Sequence, residues 1–217
     1  MAGEQTAGRG RHQRQWLSPK DAGLYFSIIL RPRFELSSWP LLTLMTAIAV
    51  HDALLDECSL QTDVKWPNDI LADEKKLCGI LAETVETSLG RAVVVGIGIN
   101  LTSKAFPQDL YEVATSVEAV TGKHPDLEII VEALVRSLKA NYKLLQHPGG
   151  PQVIVKEWCG RSSYATGKWI RVSENNENFS GTTRGLEPDG ALRVETDDGQ
   201  IRIVRAGDVT VVRTVTK

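Results

Sequence analysis

The sequence predicts an α+β fold: a mixed sheet with packed helices over residues 1–160, then a small all-β unit over 165–217. Three observations carry this expectation. Ala92–Asn100 is a near-continuous apolar run, Leu41–Leu55 and 126–145 repeat apolar residues at helical spacing, and after Gly167 the chain switches to short alternating segments punctuated by turn residues.

Leu24-Tyr-Phe-Ser-Ile-Ile-Leu30 reads as a buried strand stopped by Pro32, so the Gly- and Arg-rich segment 3–16 before it is a loop. A helix follows, with Ser37 or Ser38 as N-cap, Pro40 in the first turn, and Leu41, Leu44, Met45, Ile48, Ala49 and Leu55 on the buried face. Asp63-Val-Lys-Trp66 is extended and turns at Pro67-Asn-Asp, because proline holds the preceding residue in the extended region. A hairpin comes next, with Ile70-Leu71 on one arm, 73–76 at the tip and Leu77 to Val85 on the other. The 92–100 run reads as a strand buried on both faces. Residues 110–120 form one helix in this reading, and 126–145 a longer one that buries Ile129, Ile130, Leu134, Leu138 and Leu145 before the break at His147-Pro-Gly-Gly-Pro151. Five short strands, 169–172, 182–186, 192–196, 201–204 and 209–212, with Asp-Gly turns at 189–190 and 198–199, suggest an SH3-like β-barrel.

The 217 residues are 42% hydrophobic and 24% charged, which excludes a disordered tail or a fibre. A formal charge of -2 supplies no global field for duplex nucleic acid or anionic lipid, so any basic site is local. No membrane span is expected, since the longest apolar stretch is interrupted by Thr43, Thr46, His51 and Asp52, and the first residues lack a signal-peptide pattern. Three scattered cysteines give neither a disulfide framework nor a metal motif. The expectation is a reduced, cytoplasmic protein with no metal site of its own.

Chemistry concentrates in a few places. Arg9, Arg11 and Arg14 fall in a glycine-containing loop, and glycines let backbone N–H groups approach an anion while guanidinium forks bind phosphate or carboxylate. The loop reads as an anion site, against the alternative of a solvated or RNA-binding basic tract. Trp16 could stack a planar base or serve as plain core. Lys65 ends an extended segment just before a proline turn, a place where functional groups are put, although a lone lysine is usually solvated surface. Gly96 and Gly98 mark a close approach of either a ligand or a packed helix. Cys78 reads as an inert apolar filler, and the four histidines form no pattern.

Taken in order, Gly8-Arg-Gly-Arg11 with Arg14 and Trp16, Ser18-Pro, Leu24-Tyr-Phe-Ser, Arg31-Pro, Lys65-Trp-Pro-Asn-Asp69, Lys76-Leu-Cys-Gly-Ile-Leu-Ala-Glu83 and Gly96-Ile-Gly-Ile-Asn100 resemble biotin protein ligase over nearly the whole chain. The resemblance implies a class II synthetase-like catalytic domain with an SH3-like C-terminal domain, and an enzyme that couples ATP, Mg2+ and biotin to form biotinyl-5'-AMP. The acceptor would be a lysine of biotin carboxyl carrier protein, as in acetyl-CoA carboxylase. By matching positions, Lys65 and Arg11 would be catalytic, with Lys65 on the biotin carboxylate and α-phosphate. Arg9, Gly10 and Arg11 would order the loop over biotin and the adenylate phosphate, and Arg14 would hold the triphosphate. Gln5 would bind biotin, Gly79 would admit its bicyclic ring, Trp16 would stack adenine and Asn100 would hydrogen-bond it.

Two departures stand out. Gln13 replaces a glycine common in the family, with a mild effect expected on loop closure. The family's upstream strand and Ser/Thr-Thr-Asn motif, which complete the biotin pocket, have no counterpart, so the expectation is a chain truncated inside its catalytic domain, with an exposed sheet edge. The helix-turn-helix that makes some members repressors is likewise absent, and no nucleic-acid binding is expected. The alternatives are a non-catalytic relative that binds adenylate or carrier, and a lipoate-type ligase. Family members occur as monomers and homodimers.

Overall fold

In the computed structural model the described residues are 1–174 and 177–211. The first unit is a five-stranded sheet built from β1 (Gly23–Leu30), β2 (Asp63–Lys65), β3 (Asp69–Ala72), β4 (Lys75–Thr87) and β5 (Gly90–Asn100), in the order β1-β5-β4-β3-β2. The α+β class is as expected, but the sheet pairs antiparallel in all of its ladders and is parallel only at the isolated bridge Lys76–Ala114. Short turns join β2 through β5 in succession, and a short turn permits only antiparallel neighbours.

Helix α1 (Leu41–Cys58) packs across one face of this sheet, with α3 (Leu127–Leu145) and α4 (Gly150–Gly160) behind it. Pro40 stands at its N-cap, and the serines expected there lie instead in a 3-10 turn, Leu36–Ser38, that supplies no side-chain cap. Residues 36–58 are long and apolar enough to cross a membrane by composition, yet 67% of their apolar 18-residue stretch is buried inside the fold. Its apolar surface is therefore satisfied by the sheet and the neighbouring helices. The helix expected over 110–120 is interrupted: a 3-10 turn at Gln108–Leu110 and a bridge from Ala114 to β4 precede the short α2 (Val117–Thr121), which Ser116 caps. In α3, Ile130, Leu134, Leu138 and Leu145 are buried as expected, but Ile129, a third of a turn away, is 47% exposed.

Strand alternation sorts the sheet into two faces. Val95, Ile97 and Ile99 of β5 join the helix-facing core, whereas Val94, Gly96 and Gly98 look to the opposite side, where a cavity opens.

The second unit is a five-stranded antiparallel sheet of β6 (Thr166–Glu174), β7 (Glu177–Leu186), β8 (Leu192–Glu195), β9 (Ile201–Val204) and β10 (Asp208–Val211), in the order β10-β6-β7-β8-β9. Val212, expected in the last strand, and the rest of the 165–217 unit beyond it lie outside the described residues. The connector between the units is stitched to β2. Arg161 forks onto Asp52 at 2.8 Å and Glu157 at 2.7 Å while its carbonyl accepts from Val64 N, and Ser163 donates to Asp63 through both its backbone N and its hydroxyl. Trp66 Nε1 donates to the Gly190 carbonyl at 3.0 Å, so the segment carrying Lys65 is held by both units.

Candidate active site

The Gly- and Arg-rich segment folds back on itself above the open face of the sheet. Gly10 N donates to Arg14 O at 2.7 Å, Trp16 N to Gly8 O at 3.0 Å, and Arg9 bridges Gln15, which makes a tight reversal with His12 and Gln13 at its tip. Both tip residues have positive φ, 53° and 60°, where a side chain costs on the order of 1–2 kcal/mol relative to glycine. Position 13 thus favours glycine, and Gln13 holds a left-handed backbone there. A Cβ at Gly8 would collide with the Trp16 carbonyl, so this glycine is required for the reversal.

Beneath the loop is a cavity of about 250 Å³. Its floor is a glycine pair, Gly79 of β4 opposite Gly98 of β5, and the Trp16 indole lies on it: a Cβ at Gly79 would sit 3.0 Å from Cζ3, and one at Gly98 would overlap the ring. Trp16 Nε1 is buried against this floor with no hydrogen-bond partner among the described residues. Lys76 Nζ lies 5.5 Å from the indole centroid and 2.7 Å from Asp69 Oδ1. Tyr25 completes the back wall, and burial raises its phenol to about 12 while it donates to Pro19 O at 2.9 Å.

Of the residues singled out from the sequence, Gln5, Arg9, Gly10, Arg11, Arg14, Trp16 and Gly79 all line this cavity. Gln5 Oε1 accepts from Ser18 Oγ at 2.7 Å, and exposed Arg9 pairs with Glu83 at 2.7 Å. Arg11 is drawn inward, donating to Gly207 O at 3.0 Å and Asn68 Oδ1 at 3.4 Å, and burial lowers its pKa from the ordinary value. Lys65 stands just outside the lining. Burial pulls its pKa down, Asp69 opposes the shift, and Lys76, Asp208 and Arg14 also act on it, so its ammonium belongs to the same charge cluster. Its Nζ lies 6.0 Å from the Tyr164 ring centroid.

Asn100 is placed differently. Its amide donates to Thr115 O at 3.0 Å and Lys76 O at 3.5 Å, tying the turn before α2 to β4, and it is off the cavity wall. Cys78 is fully buried with its thiol pushed far up by desolvation, as suits an inert filler.

The structure also adds residues that sequence reasoning did not single out: Asn68, Asp69, Lys76, Glu83 and Asp208. The first four lie inside motifs that were already noted, so proximity in sequence could have flagged them. Asp208 has no such signal, because it reaches the cavity from the second unit, 194 residues from Arg14.

Three basic side chains over a glycine floor, with an unsatisfied indole donor and a desolvated lysine, suit a ligand that is planar at one end and anionic at the other. Comparisons with known proteins agree. Residues 1–100 match the Biotin/lipoate A/B protein ligase family and residues 166–212 match the Biotin protein ligase C terminal domain. The chain is 36% identical over 212 residues to the "Bifunctional ligase/repressor BirA" of Bacillus subtilis, covering 95% of this chain and 64% of that protein, so it spans less than two thirds of that relative's length. It is 32% identical to the "Biotin--[acetyl-CoA-carboxylase] ligase" of Mycobacterium tuberculosis, covering 98% of this chain and 78% of that one. Among solved structures, the biotin protein ligase from Aquifex aeolicus in complex with biotin and ATP superimposes with a TM-score of 0.83 at 29% identity, covering 98% and 87% of the two chains. Motifs, fold and relatives converge, and this chain belongs to the biotin protein ligase family.

Proposed function

We propose that this chain is an ATP-dependent biotin ligase that modifies a lysine of biotin carboxyl carrier protein. The observation that carries the reading is the convergence, around one cavity, of the basic loop, the Lys65–Asp69 turn and the Gly79–Gly98 floor. Residues 1–160 form the catalytic domain and 165–217 the C-terminal domain in this proposal, and the setting is cytoplasmic. Magnesium enters with the nucleotide as MgATP.

In the first step a biotin carboxylate oxygen attacks the α-phosphorus of ATP, the bond from that phosphorus to the bridging oxygen breaks, and pyrophosphate leaves. Negative charge builds on the phosphoryl oxygens, and Lys65 and Arg11 are the cations set to meet it in a water-poor site. Arg14 holds the polyphosphate, Trp16 stacks the adenine, and Gln5, Arg9, Gly10 and Gly79 shape the biotin end. Asn100 acts on the nucleotide end indirectly, by holding Lys76 and Thr115 in place. In the second step the neutral amine of the acceptor lysine attacks the biotinyl carbonyl carbon, the carbon–oxygen bond to AMP breaks, and the amine proton passes to solvent. The partner supplies the nucleophile, so the enzyme needs none.

The test is the intact mass of a purified carrier domain after incubation with this chain, biotin and MgATP. A biotinyl adduct is expected with biotin and none with lipoate. No adduct from the folded chain, in the presence of bound nucleotide, would favour the non-catalytic binding reading. Arg11→Ala is expected to release the adenylate to solvent about tenfold faster, as a charge-assisted contact worth about 1.5 kcal/mol is lost, and this is read by the rate at which labelled adenylate appears in filtrate.

A further inference from the structure

Arg11 and Arg14 of the basic loop converge on a carboxylate from the other unit. Asp208, the first residue of β10, accepts from Arg14 Nη2 through Oδ2, and its Oδ1 lies 3.7 Å from Arg11 Nη1 and 4.0 Å from His12 Nε2. Arg11 Nη1 donates to the carbonyl of the adjacent Gly207 at 3.0 Å. The segment that carries these acceptors is braced from behind. Glu174 Oε1 accepts from Ala206 N at 3.1 Å and Arg205 N at 3.3 Å, and Gly207 packs so closely on β6 that a Cβ would stand 2.8 Å from Ser173 O. The carboxylate is therefore presented at a fixed point on the cavity wall.

A carboxylate and a phosphate engage a guanidinium fork through the same oxygen geometry. We propose that Asp208 is the resident anion of the subsite formed by Arg11, His12 and Arg14, so that a polyphosphate binds by displacing this carboxylate. The inference rests on reading the cavity as a nucleotide site, and it adds a regulatory contact to that reading. With no nucleotide, Asp208 neutralises the loop and fastens it to the C-terminal unit. When polyphosphate takes Arg14, the displaced carboxylate is left beside a like charge, which opposes binding and uncouples the loop from β10.

The experiment uses the full chain and calorimetric titration with inorganic pyrophosphate, repeated with ATP in the absence of biotin. Asp208→Asn keeps the side-chain size and removes the charge, and is expected to bind pyrophosphate about 5- to 20-fold more tightly than wild type, within the usual range of such coupling. Adding Arg14→Ala to that variant should cancel the gain. Asp198→Asn, in the β8–β9 turn, is the control that leaves affinity unchanged. Should Asp208→Asn lose its cooperative melting transition, Asp208→Ser supplies the same readout. Unchanged or weaker pyrophosphate binding by a folded variant overturns the inference, as does a failure of wild type and variants alike to bind pyrophosphate. The ligase reading is judged separately by the carrier mass, so the two can fail independently.

Discussion

Replacing Lys65 with alanine is expected to lower biotinyl transfer by about 10²- to 10³-fold, the cost of removing one group that stabilises developing charge in a desolvated site. The fold should survive. Burial disfavours the Lys65 charge, so removing it relieves a desolvation cost, and β2 keeps its backbone pairing and the Ser163–Asp63 bonds without it. The measurement is single-turnover transfer beside a melting curve, and near-normal transfer by a folded variant would falsify the role. The same residue fixes a pH dependence. Burial pulls its pKa below the ordinary lysine value of 10.5, so the ammonium that the reaction uses is lost as pH rises through that lowered value. The free-enzyme profile of kcat/KM should therefore fall on the alkaline side earlier than an unperturbed lysine would allow. In Lys65→Arg that limb should move to higher pH, because a guanidinium stays charged.

Gly98→Val is expected to weaken nucleotide binding by about 5- to 150-fold, the span that corresponds to losing one base–aromatic stack of about 1–3 kcal/mol. The reason is steric. A side chain at position 98 takes the place where the Trp16 indole rests on the Gly79–Gly98 pair. Valine is at home in a strand, so the ladder between β4 and β5 should persist and the loss should fall on the site. Equilibrium titration with ATP reads the affinity, and the difference in tryptophan emission between each protein and its Trp16→Phe counterpart reports whether the indole has moved. Gly160→Ala, at the end of α4 with open space around its Cα, is the matching control. Wild-type affinity in Gly98→Val would mean that Trp16 does not set the adenine site from this floor.

Local chemistry fixed much of this protein in advance. The apolar run of β5, the helical spacing of α1 and α3 and the turn pairs of the C-terminal unit each depend on neighbours within a few residues, and each is found where the sequence puts it. Where single residues depended on more distant partners, local pattern failed. Residues 110–120 have helical spacing, but pairing of 114–115 with β4 outcompetes the helix and leaves only the short α2. Ile129 is apolar, but α3 meets α1 on another face.

The site divides along the same line. Arginines in a glycine loop, the lysine before a proline turn and the spaced glycines were readable, because each motif carries its chemistry in a few adjacent residues. Their meeting was not readable from spacing, since it depends on the β4–β5 register that sets Gly79 against Gly98, and on the connector at 161–163 that fastens β2. Least visible of all was Asp208. An aspartate in a short C-terminal strand has no local feature that marks it, and only the packing of one unit on the other, across 194 residues of chain, brings its carboxylate to Arg14. Electrostatic contacts act through space and are blind to sequence distance, so the sequence alone determined the kinds of group this protein brings to its ligand, and the tertiary structure decided which of those groups face one another.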